Sequence, residues 1–125
     1  MLLLTGALMA CEGPQANPPP TNDTAENHAS LIPGRRCEDT SLTWENFGEG
    51  FMLSHCAGCH SSTLPEGERA NATVGVDLER HDLVIEHIQR TYVNAADENT
   101  VMPPVANIDP EDRWLLGDWL ACGAP

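Results

Sequence analysis

Apolar residues recur at helical spacing in three stretches of the chain, and nowhere do they alternate with polar residues over the length of a strand. The first stretch opens at Thr43, a residue suited to an N-cap, and carries Trp44, Phe47, Phe51 and Met52 as far as His55. Gly48 and Gly50 weaken it on propensity alone, and a glycine in a helix interior signals close approach by another element. A second helix is predicted over about 80–92, with Leu83, Val84, His87, Ile88 and Thr91 along one face. The last has the most complete set of end signals. Asp109 caps it, Pro110 takes the first helical position, Glu111 and Asp112 suit the positive end of the dipole, and Gly123 follows as a terminator. Its buried stripe is expected to be Leu115, Leu116, Trp119 and Leu120. Residues 61–75 and 94–108 have no period, and the second of these contains Met102-Pro103-Pro104. The predicted fold is all-α with long loops and no internal repeat.

The part of the chain before these helices has a different character. Residues 1–10 form an uncharged run of Leu, Ala and Met that ends in Leu8-Met9-Ala10-Cys11. This resembles a bacterial lipoprotein signal, cut before a cysteine that becomes lipidated, and it is too short to span a bilayer as a mature helix. Residues 11–36 are rich in Pro, Asn, Thr and Ala, include Pro18-Pro19-Pro20, and read as a disordered tether. The domain proper is expected over 37–125. Such an arrangement implies an exported, periplasmic protein held at the membrane through Cys11, in a compartment where disulfides persist.

Composition narrows the function. A chain of 125 residues with 41% hydrophobic and 5% aromatic residues can build one small domain with a thin side-chain core, which a buried cofactor would fill. The formal net charge is -13 and every basic residue is an arginine, which argues against nucleic acid as a partner. The acidity solvates the surface, and it would also steer a positively charged or neutral partner.

The residues with the most specific chemistry are His55-Cys56-Ala57-Gly58-Cys59-His60, which contain CxxCH. Two thiols one helical turn apart can add to the two vinyl groups on one edge of a haem, and the adjacent histidine then reaches the iron from the same side. A zinc site would need further ligands in register, and no second CxxC exists. A thioredoxin-like redox pair would need a βαβ pattern, which is absent.

Over about 37–123 the chain resembles class I cytochromes c. The resemblance rests on CxxCH, on Gly48 two helical turns before it, on the Met102-Pro103 segment downstream, and on an aromatic-rich terminal helix. The aromatic commonly found a turn before the first haem cysteine is Met52 here. The resemblance implies one covalent haem c on Cys56 and Cys59, with His60 and Met102 as the axial ligands of the iron. Pro103 biases Met102 away from the helical region. Gap-filling core is the alternative role for Met102, and His87, His81 and His55 are the alternative ligands. The resemblance further implies that Leu78 packs against the haem ring, that the first and last helices cross beside the haem, and that Gly48 meets Trp114 or Trp119 there. Arg69 and Arg80 become candidates for the propionates. With Cys11 lipidated and two cysteines holding haem, Cys37 and Cys122 remain, flanking the helices that the family packs together, and they are expected to form a disulfide. The implied activity is one-electron transfer between redox partner proteins rather than catalysis. A haem-based sensor and an electron-delivering subunit of an exported redox enzyme are the alternatives.

Overall fold

Thr43 opens the first helical segment through its side chain. Its hydroxyl accepts the Asn46 N–H at 3.3 Å, while Asn46 Oδ1 accepts the Thr43 N–H at 2.8 Å, so each satisfies a backbone donor that the start of a helix leaves free. The first turn, Trp44–Gly48, is wide: the amides of Phe47 and Gly48 both donate to the Thr43 carbonyl, at 3.0 and 3.1 Å. It runs directly into helix α1, Glu49–His55, which buries Phe51 and Met52. These features come from a computed structural model that describes residues 35, 37–104 and 107–125. The leader at 1–10, Cys11 and the tether apart from Arg35 lie outside the described residues.

The single helix expected over 80–92 is two: α2, His81–Glu86, and α3, Ile88–Ala95. The break falls at His87. Its amide is shared between the carbonyls of Leu83 and Val84, at 3.2 and 3.1 Å, and its ring reaches out of the helix so that Nε2–H donates to Gly75 O at 2.9 Å. Val84, Ile88, Thr91 and Ala95 continue one buried face through the break.

Helix α4, Pro110–Ala121, begins where Asp109 accepts the Glu111 N–H at 2.8 Å. It ends at Gly123, whose φ of +85° is the left-handed conformation that a helix terminator needs. Of the expected stripe, Leu116, Trp119 and Leu120 are buried, whereas Leu115 is half-buried. Arg113 and Gly117 complete the face. All the regular structure among the described residues is helical, and none of these helices is long and apolar enough to cross a membrane.

Trp119, fully buried, is the centre of the core. Its ring lies edge-on to Phe47, with centroids 6.0 Å apart, and tilted against Trp44 at 6.3 Å, while its Nε1–H donates to Pro125 O at 3.1 Å. A Cβ on Gly48 would sit 2.6 Å from Trp119 Cη2, so the close approach anticipated at this glycine is made by Trp119. Met52, also fully buried, belongs to the same core cluster. Helices α3 and α4 pack together. Cys37 and Cys122 form a disulfide with Cα atoms 5.4 Å apart, joining the segment before the first helix to the end of the last.

Candidate functional site

The CxxCH segment is one tight turn hung from the end of α1. The Cys56 amide donates to Met52 O at 2.9 Å, then Cys59 N and His60 N both return to Cys56 O, at 3.1 and 2.9 Å. The turn therefore brings Cys56, Cys59 and His60 together within one backbone loop. The two cysteines are free thiols: Cys56 is buried and Cys59 half-buried. Burial pushes the Cys56 thiol up to about 12, with the charge of Arg113 pulling the other way and that of Cys59 adding to the rise. At neutral pH it stays protonated.

His60 is oriented by a loop that returns to it. Its carbonyl accepts the Leu78 N–H at 2.8 Å, and its ring Nδ1 lies 2.9 Å from Val76 O. A carbonyl only accepts, so Nδ1 carries the proton and the neutral ring keeps its lone pair on Nε2. This is the tautomer of a metal-binding histidine steadied by a second partner. The other histidines named as candidates are used differently. His87 donates Nε2–H to Gly75 O at 2.9 Å, and His81 donates Nε2–H to Ala124 O at 2.6 Å while stacking on Trp44. His55 packs against Phe51, with ring centroids 4.9 Å apart.

Met102 is 38% exposed, and its backbone is held at both ends. Its amide donates to Asn94 O at 2.9 Å, and its carbonyl accepts from Arg113 Nη1 at 2.8 Å. The same Nη1 also donates to Ala95 O at 2.8 Å and Asn99 O at 2.9 Å. Arg113 is 5% exposed, and its charge acts on the Cys56 thiol. One buried guanidinium thus ties the Met102 segment to the neighbourhood of Cys56. Sequence reasoning passed over Arg113, although residues 113, 116, 117 and 120 share one face of α4 and the other members of that face are apolar or glycine.

Of the remaining candidates, Leu78 is buried in the core. Arg80 is exposed and pairs with Asp82, with 2.8 Å between Nη2 and Oδ2. Arg69 is 2% exposed and belongs to the His60 loop, with Asp77 as its ion-pair partner.

A haem c fits these residues in two respects. The donor set supplies two thiols for thioether bonds, an imidazole with Nε2 free, and a thioether sulfur. The apolar side chains left open to solvent include Val74, two residues from the Val76 carbonyl that holds His60, together with Val93, Val101 and Met102 on the segments that Asn94 and Arg113 draw together. Exposed valines on these segments suit a flat apolar ring better than they suit water. Among the described residues no group of three or more His, Cys, Asp or Glu side chains converges.

No protein family, curated protein or solved structure matches the chain.

Proposed function

We propose that this protein is a haem c electron carrier, exported and tethered through a lipidated Cys11 on the periplasmic side of a bacterial membrane, which exchanges single electrons with redox partner proteins. The observation that carries the reading is the state of His60 within CxxCH: Nδ1–H is committed to the Val76 carbonyl at 2.9 Å, and Nε2 is left with its lone pair. When bound, haem c supplies a one-electron ferric–ferrous couple. Cys56 and Cys59 hold it covalently, so that a haem with an exposed edge does not dissociate. His60 and Met102 would supply the two protein ligands to its iron, and Leu78 would supply apolar wall. The lone pairs of His81 and His87 sit on Nδ1 rather than Nε2, which favours Met102 over either of them. Two strong protein ligands leave no position on iron for a substrate, which suits a carrier. The net charge of -13 favours partners with a basic docking face.

The reading is tested by expressing the chain with a cytochrome c maturation apparatus. Thioether bonds survive denaturation, so haem should migrate with the polypeptide on a denaturing gel, and the double variant Cys56→Ser/Cys59→Ser should lose it. Haem that separates from the wild-type chain overturns the proposal.

A further inference from the structure

The loop between His60 and Leu78 closes around one buried cation. Arg69 donates through Nη1 to the carbonyl of Ser61, the residue beside His60, and through Nη2 to Thr73 O at 3.1 Å, Val76 O at 3.3 Å and Asp77 Oδ1 at 2.6 Å. Its Nε is buried with no hydrogen-bond partner. The Val76 oxygen is the one that accepts Nδ1–H of His60 at 2.9 Å. Imidazole and guanidinium therefore share a single acceptor.

Sharing has an electronic consequence. A carbonyl polarised by a cation is a weaker acceptor for the imidazole N–H, so the ring keeps less negative character and Nε2 becomes a weaker donor. A weaker axial donor stabilises ferric iron less, and a buried positive charge nearby disfavours the ferric state again. Resting on the haem c reading of Cys56, Cys59 and His60, we infer that Arg69 is a positioning residue that tunes His60 through the shared Val76 carbonyl and raises the reduction potential, with Asp77 as the counter-charge that limits the rise. Arg69 touches no redox atom in this scheme. It acts through the loop it organises.

The test compares the full-length holoprotein with its Arg69→Gln, Arg69→Lys and Asp77→Asn variants by redox titration at one pH, with the Nδ1–H resonance of His60 read by NMR in the ferrous state. Arg69→Gln should lower the midpoint potential, and Arg69→Lys, which keeps the charge without the planar fork, should recover part of the loss. Asp77→Asn should raise the potential, since it removes only the counter-charge. Opposite shifts are the signature. A loop brace with no electronic role would loosen in the Gln and Asn variants alike and move the potential the same way or not at all, which overturns the inference. If Arg69→Gln does not fold, Asp77→Asn alone decides: a potential that is unchanged or lowered overturns it. Wild-type chain that carries no covalent haem overturns the underlying reading as well, so the two failures are told apart by the denaturing gel.

Discussion

At position 48 the backbone is ordinary right-handed helix, with φ -58° and ψ -49°, and what glycine provides there is room. Trp119 cannot easily withdraw from an added methyl, because its ring is packed by Phe47 and Trp44 and its N–H is bonded to Pro125 O. Gly48→Ala should therefore destabilise the fold by about 2 kcal/mol, the overpacking term outweighing the gain of about 1 kcal/mol in helix propensity. Urea midpoints of the two proteins measure this, and a variant as stable as the parent would show that the indole moves. At Met102 the expectation concerns the iron. On the proposal that Met102 ligates haem iron, its thioether raises the potential, so Met102→Ala in the holoprotein should lower the potential and admit carbon monoxide or cyanide where the parent resists both. Wild type that binds carbon monoxide readily would remove Met102 from the ligand set.

Between elements the buried arginine of α4 takes over the work that apolar packing does elsewhere. The carbonyls of Ala95, Asn99 and Met102 all end on Arg113 Nη1, so that one charged group adds to the ties that Asp97 makes from the irregular chain after α3 to α4 through the Arg113 carbonyl and through Arg35. Arg113→Met keeps similar volume but strands those carbonyls, and a loss of about 3 kcal/mol is expected from the charge-assisted bonds and the unpaired acceptors left behind. Amide exchange should rise most at Met102 and Asn99, because Arg113 releases the carbonyls of both. Exchange that rises uniformly would mean that Arg113 supports the core rather than this segment. On the loop before α2, burial would push the Glu79 carboxyl up, but the Ser62 hydroxyl and backbone amides hold it below its usual range. A folded-state value below the unfolded one contributes stability that is present above the ordinary carboxylate range and is lost as pH falls through the folded value. Ser62→Ala should flatten the acid limb of the stability profile, and an unchanged limb would place the acid sensitivity elsewhere.

For the molecule as a whole the disulfide is the longest-range restraint. Cys37 and Cys122 are 85 positions apart, and closing a loop of that length restricts the unfolded chain by about 4 kcal/mol. For a small domain with a thin core this is a large part of the total stability. Reduction, or Cys37→Ala with Cys122→Ala, should lower the urea midpoint accordingly, and on the haem c proposal the spectrum of the holoprotein should change little. A spectrum that collapses together with the disulfide would mean that the restraint also shapes the iron site. The acidic surface acts at the same scale, since the chain has 19 Asp and Glu residues against six arginines.

Much of this architecture is written locally in the chain. The cap at Thr43, the start at Asp109 and Pro110, the stop at Gly123 and the tight turn at Cys56 to His60 each depend on residues within a few positions of one another, so spacing and residue type sufficed to find them. Gly48 was legible as a point of close approach, but only the fold selected Trp119 over Trp114, because which indole faces the core depends on how α4 is rotated against the first helix. The break at His87 was invisible along the chain, where Leu83 to Thr91 keep one helical period; it follows from a ring that reaches Gly75 across the loop. Arg69 was legible only as a candidate for the propionates, and its place at the centre of the loop was not, since its burial depends on carbonyls that converge only after the chain has turned back on His60. Local sequence thus determined where the first and last helices start and where the paired thiols and the imidazole lie. Tertiary structure alone decided which nitrogen of His60 keeps its lone pair and which charges stand behind it, because hydrogen bonds between segments distant in sequence form only once backbone from both is brought within about 3 Å.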